Sequence, residues 1–148
     1  MDQLEVARVA YEDDFLLWLE QQVSLLRAGR LEHIDIDNIT EELEGTMRSE
    51  RRELENRLEV LMTHLLKCQF QPQRKSRSWI GTLGTQRVRI QRLIRDSPSL
   101  RSKVLPFAQQ AYPAAVHAAH AQTALPLSTF PDVLPYTAQQ LLDNGFVP

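Results

Sequence analysis

An all-α fold, a kinked bundle of four to five main helices closed by a proline-rich C-terminal wrap, is what this sequence predicts, and three observations carry the prediction. Residues 41–70 contain no proline, and Leu43, Met47, Leu54, Leu58, Leu61, Met62, Leu65 and Leu66 recur there at steps of three and four, which places them on one face of a long amphipathic helix. Segments on either side repeat the same period, and no run alternates in the way a half-buried strand requires. Pro126, Pro131 and Pro135 then punctuate the last stretch, which suits a loop laid over the bundle rather than another long helix.

The first element is expected over residues 6–28, where Tyr11, Phe15, Trp18, Leu19, Gln22, Leu25 and Leu26 share a face and Gly29 supplies a left-handed C-terminal cap. The second is expected over residues 36–70, opened by Asp35 or Asp37 accepting the free amide hydrogens, with Glu41, Glu42 and Glu44 near its positive end. Run straight, that helix would be roughly 52 Å long at about 1.5 Å per residue, against about 38 Å across for a compact chain of this size. It therefore bends, with Gly45 as the candidate, or it overhangs, and an overhanging apolar stripe would be an oligomer seam. A third helix is expected over residues 78–95 with Trp79, Leu83, Ile90, Leu93 and Ile94 inward; Gly81 and Gly84 weaken its first turns, or admit another backbone closely. Ser97 followed by Pro98 reads as the start of a fourth helix over residues 98–122, interrupted by Pro106 and Pro113, where kinks or two shorter helices are expected. Thr137 with Gln140 three residues on is a capping-box pattern opening a short helix over residues 137–143.

The 148 residues suit a single helical domain that needs no cofactor or disulfide for stability. Hydrophobic residues at 43% and charged residues at 24% match an ordinary globular protein, and no apolar run approaches the roughly 20 residues that span a bilayer. Residues 1–5 carry Asp2 and Glu5 where a secretory signal would be basic, so none is expected; with the single Cys68, this points to the reducing cytoplasm. Net charge is −2, yet it is sharply segregated. Residues 1–73 hold 8 Lys/Arg against 16 Asp/Glu, a net of −8, whereas residues 74–103 hold 9 against Asp96 alone, a net of +8. Such a basic stripe attracts phosphate backbones or an acidic partner, or else the acidic first half neutralises it within the chain.

Several runs together have a family look: Asp14, Phe15 and Trp18; LLRAGR at residues 25–30; Glu41 and Glu42; SERR at 49–52; HLLK at 64–67; Gln71 with Pro72; Ser76 with Trp79; DSPSL at 96–100; and the ending through Pro135, Tyr136, Leu141 and Phe146. In these the chain resembles, over nearly its whole length, the bacterial family called domain of unknown function 29. The resemblance implies an all-helical cytoplasmic bacterial protein and supplies no activity. The family pattern has an aromatic where this chain has Cys68, and helix formers where it has Gly81, Gly84, Pro106 and Pro113.

Three constellations could carry chemistry, each with a plainer alternative. His64 and Cys68 lie four apart, and His117 and His120 three apart, so the four could meet as a tetrahedral zinc site; core packing of His64 and Cys68 is the plainer reading, and neither a metal nor a cofactor is expected. Glu41, Glu42, Glu44, Ser49, Glu53 and His64 could offer carboxylates and a base to a cleft. A carboxylate di-metal site would want Glu-x-x-His pairs, and none is present; Glu42, Ser49, Arg52 and His64 are candidates for a polar network, with Glu42 and Ser49 expected in ion pairs and hydrogen bonds to arginines of the basic helix, and no catalytic residue is assigned. Arg74, Lys75, Arg77, Arg87, Arg89, Arg92 and Arg95, with Trp79 beside them, form a basic surface suited to single-stranded nucleic acid. The expectation that emerges is a protein-interaction module without catalytic activity, self-association through the long helix included, with nucleic-acid binding as the alternative and an enzyme as the least favoured class.

Overall fold

Local capping chemistry sets where each helix starts. In the computed structural model, which describes residues 9–148, Asp14 is extended (φ −148°, ψ 93°) and its carboxylate accepts the Leu17 amide at 3.0 Å, so α1 spans Phe15–Arg27. The expected start near Val6 lies outside the described residues, as does the acidic opening at residues 1–5. Residues 11–13 form a turn and not the helix expected there, because the Asp14 cap takes the first free amides. Gly29, at φ +69°, ends α1 as anticipated, with Arg30 N donating to Leu25 O. Of the two aspartates offered as the next cap, Asp35 acts: it accepts from the Asn38 amide, and α2 runs Ile36–Phe70 without interruption through Gly45.

Ser76 caps α3 (Arg77–Asp96), accepting the Trp79 amide. Beyond it the expected fourth helix divides: Pro98–Lys103 is a 3-10 segment without a side-chain cap, and α4 proper is Val104–Thr123. Pro106 falls in the first turn of α4, where no intrahelical donor is lost. Pro113 lies inside α4 without splitting it; it is exposed, so the carbonyl that loses its donor can turn to water. Ala124 ends α4 in the left-handed region at φ +61°. The capping box at Thr137 and Gln140 forms with both reciprocal bonds, opening α5 (Ala138–Leu142). Among the described residues there is no strand.

Two compact units result, the first ending at Arg48 and the second spanning Ser49–Pro148. In the first, Trp18 and Gln22 are the buried residues of α1. Trp18 Nε1 donates to Asp35 at 3.1 Å, and Gln22 accepts the Asp35 amide at 2.7 Å. In the second, Leu54, Leu58, Leu61 and Leu65 of α2, Leu83 and Ile90 of α3, and Ala108, Ala115 and Ala119 of α4 form one core with no exposed surface to speak of. The alanines let α4 approach closely, and Phe130, Tyr136 and Leu141 pin the C-terminal wrap onto the same core. Tyr112 Oη donates to Pro131 O at 2.7 Å and Tyr136 Oη to Gln69 at 2.8 Å, satisfying the polar ends of both rings.

Arg87 is 1% exposed. Its Nε and Nη2 donate at 3.0 Å to the carbonyls of Leu141 and Gln140, oxygens that the short α5 leaves without intrahelical donors. Burial pulls this guanidinium below its usual range while Asp143 offsets part of the effect. Arg87→Met keeps most of the apolar volume but orphans both acceptors, and is expected to lower the unfolding free energy by about 2–3 kcal/mol in urea denaturation.

Candidate interaction surfaces

The apolar stripe of α2 continues past its own core. Ile36, Leu43 and Met47 fall on the same helical face as Leu54, Leu58 and Leu65, yet they are 62%, 63% and 53% exposed whereas the latter three are fully buried. α1 adds Phe15, Leu16, Leu17, Val23 and Leu26, all more than 40% exposed, and Leu31 adds 60%. Nine of the fifteen large exposed apolar side chains of the described residues therefore belong to residues 15–47. That density exceeds the usual scatter of single exposed side chains.

The same unit holds a cleft of about 1010 Å³ lined by Leu17, Trp18, Leu25, Ile34 and Ile36, with Glu20 and Asp37 among its polar groups. It lies in a region where 10 Asp/Glu face 3 Lys/Arg over residues 9–48, a net of −7. Residues 49–148 carry 13 against 7, a net of +6. Sequence reading did not find this cleft, because it depends on Leu31–His33 turning the chain between two helices. The tryptophan hydrogen-bonded to Asp35 was its only local signal.

Of the seven basic positions nominated from sequence, Arg74, Lys75, Arg77, Arg89, Arg92 and Arg95 are exposed. Arg87 is the exception, drawn inward by the α5 carbonyls, and does not belong to the surface. Trp79 is half-buried against the core, and the Lys67 ammonium, 4.4 Å from its ring centroid, occupies one face of the ring. Lys67 itself is 7% exposed and donates to Gln122 at 2.8 Å, and burial lowers its pKa. Among the described residues, no ion pair carries the neutralisation expected within the chain. Among the described residues every salt bridge links positions close in sequence, such as Arg48 with Glu41 and Glu44, Arg57 with Glu53, and Arg95 with Asp96. Gly81 and Gly84 do not accommodate a neighbouring backbone either: both are exposed, and a Cβ on either would meet nothing within 4 Å.

The polar candidates on α2 do not converge. Glu42 belongs to the first compact unit, and Ser49, Arg52 and His64 to the second. Glu42 accepts a hydrogen bond from Tyr11 Oη, which, with burial and nearby carboxylates, raises the phenol pKa. Ser49 and Arg52 are exposed. His64 is half-buried, and its Nδ1 donates to Val60 O at 2.9 Å. Cys68 is fully buried and burial raises its thiol pKa, while His117 is exposed and His120 Nδ1 bonds Leu125 O at 2.6 Å. Among the described residues no three His, Cys, Asp or Glu side chains gather as metal ligands.

A family model described as "Domain of unknown function DUF29" matches residues 10–147, in agreement with the resemblance carried by the short runs. No curated protein and no solved structure matches the chain.

Two outcomes follow from these environments. Burial, ahead of the nearby Lys67, holds the His64 pKa below its ordinary value of 6.5, although the Val60 carbonyl acts in the opposite sense. The unfolded chain then binds more protons than the folded one as pH drops below about 6.5, so stability is full above that value and declines until the folded pKa is passed. His64→Gln should flatten the dependence of the urea midpoint between pH 7 and 5 relative to the parent. Gly81→Ala and Gly84→Ala, with open space at each Cβ, should each raise the unfolding free energy by about 1 kcal/mol.

Proposed function

The chain belongs to the DUF29 family, whose description assigns no activity, and from that premise we propose that it is a protein-interaction module acting through the uncovered apolar residues of its first unit. The observation that supports this reading most is the split of one α2 stripe into a buried half and an exposed half. Ile36, Leu43 and Met47 are 62%, 63% and 53% exposed, so leaving them so forgoes burial worth about 1–2 kcal/mol for each side chain, a cost that a covering partner removes. Arg48 and Arg57 of α2 are held in local ion pairs, and in this reading no polar side chain of the helix is catalytic. The buried single Cys68 and the family resemblance support a bacterial cytoplasmic setting, and among the described residues no helix is long and apolar enough to cross a membrane.

A second reading, phosphate-backbone binding by α3, is favoured by one observation: Arg74, Arg77, Arg89 and Arg92 have no carboxylate within 4.0 Å among the described residues. Without Arg87 and a free Trp79 it reduces to sequence-independent, salt-sensitive attraction.

Leu43→Ser combined with Met47→Ser tests the first reading. Both positions are exposed, so each change should shift stability by no more than about 0.5 kcal/mol, while a polypeptide retained stoichiometrically by the parent in native mass spectrometry should be lost. Undiminished retention by the double variant would overturn the assignment of this surface. Arg89→Gln with Arg92→Gln and Arg95→Gln tests the second, since it spares Arg87 and the fold.

A further inference from the structure

The cleft of about 1010 Å³ in the first unit has a lining of two kinds. Leu17, Leu25, Ile34 and Ile36 are apolar and line it together with Trp18, whose ring is held by the bond from Nε1 to Asp35. Leu17 and Leu25 lie on the same side of α1, eight residues and about 12 Å apart. That length is close to the run of apolar side chains at i, i+3, i+4 and i+7 of a facing helix. Glu20 lines the cleft between them, and Asp37 lines it from the first turn of α2. Both carboxylates are exposed, and neither has a cation within 4.0 Å among the described residues. The cleft's own basic side chains do not serve them, because Arg30 and His33 both turn to Glu32, each at 3.5 Å. Arg27, the only cation of α1, does not line the cleft.

We infer that this cleft takes a basic amphipathic helix of another protein, its apolar side chains set against Leu17, Leu25, Ile34 and Ile36 and its lysines or arginines against Glu20 and Asp37. Charge selects the occupant. Glu20, Glu32, Asp35 and Asp37 stand against Arg30, with His33 neutral, so the cleft and its bridging glutamate carry a net −3. An acidic segment laid there would meet like charge, and a purely apolar one would take water from two carboxylates and give them no partner. A basic segment supplies the missing counter-charges while its apolar face covers the leucines and isoleucines. Among the described residues there is no strand to which an extended segment could add, whereas a helix arrives with its backbone bonds already made. This assignment rests on the protein-interaction reading and names the chemistry of the partner.

The test uses the full chain and three synthetic peptides of about 14 residues, roughly 21 Å long as helices, with binding read by fluorescence anisotropy. The first contains only leucine and lysine, with leucines at i, i+3, i+4 and i+7. The second keeps those leucines and has glutamate for lysine. The third has the composition of the first with the leucines alternating, which removes the apolar helical face. The parent should bind the first roughly tenfold or more tightly than either of the others. Glu20→Lys with Asp37→Lys should weaken the first peptide by roughly tenfold and strengthen the second, a reversal that lost folding cannot produce. Leu17→Ser with Ile36→Ser, both exposed in the parent, should weaken the first peptide without altering charge, and circular dichroism checks that the helices remain. A parent that binds no peptide up to about 100 μM, where even a micromolar Kd would show, overturns the inference. Equal binding of the first and third peptides overturns it too, as attraction by charge alone, and so does self-association abolished by the same substitutions, which would place a second copy in the cleft. If both cleft variants keep a polypeptide that Leu43→Ser with Met47→Ser loses, the interaction reading stands and the assignment of the cleft alone falls.

Discussion

One apolar stripe, carried by the proline-free α2 from Ile36 to Leu66, is the constraint on which the rest of this molecule depends. In its second half the stripe has α3, α4 and the C-terminal wrap to bury it, and Leu54, Leu58, Leu61 and Leu65 lose all contact with water. α4 meets it with alanines at positions 108, 115 and 119, which bring the helix close but add little apolar area of their own. The wrap supplies the large side chains, Phe130, Tyr136 and Leu141. In its first half the stripe keeps its period but not its cover. An unbroken helix cannot turn its apolar face away residue by residue, because the 3.6-residue period holds Leu43 and Met47 in line with Leu54.

Charge is handled in two ways. Arg87 and Lys67 are taken inward, the first to satisfy carbonyls at the end of α5 and the second to lie over Trp79 and bond Gln122. Both substitute for contacts that a short helix and a tight core would otherwise leave unmade. The other arginines of α3 stay in water on a face that also exposes two glycines, and their acidic counterweight lies mainly among residues 9–48.

Much of the architecture was readable residue by residue. The Gly29 cap, the reciprocal bonds of Thr137 and Gln140, and the start of α2 at Asp35 are short-range chemistry, settled by groups three or four residues apart. The misreadings share a cause. The first helix was drawn too long because its apolar pattern continues through Tyr11, although Asp14 captures the opening amides. The fourth was drawn from Pro98 because proline suits any helical first turn, and local spacing does not distinguish a 3-10 start from an α-helical one. Glu42, Ser49, Arg52 and His64 have separate surroundings: Glu42 accepts from Tyr11, His64 donates to Val60, and Ser49 and Arg52 are exposed.

Periodicity and caps by themselves determined the fold class, the helix order and the residues that share each face, since those follow from hydrogen bonds and side chains within a few positions of one another. Only the tertiary structure decided which part of the α2 stripe is covered, that Arg87 leaves the basic surface, and that the glycines of α3 open onto solvent. Each of those depends on what lies opposite a helix face, and the elements that could lie there come from positions up to about 70 residues away, as Gln69 and Tyr136 show.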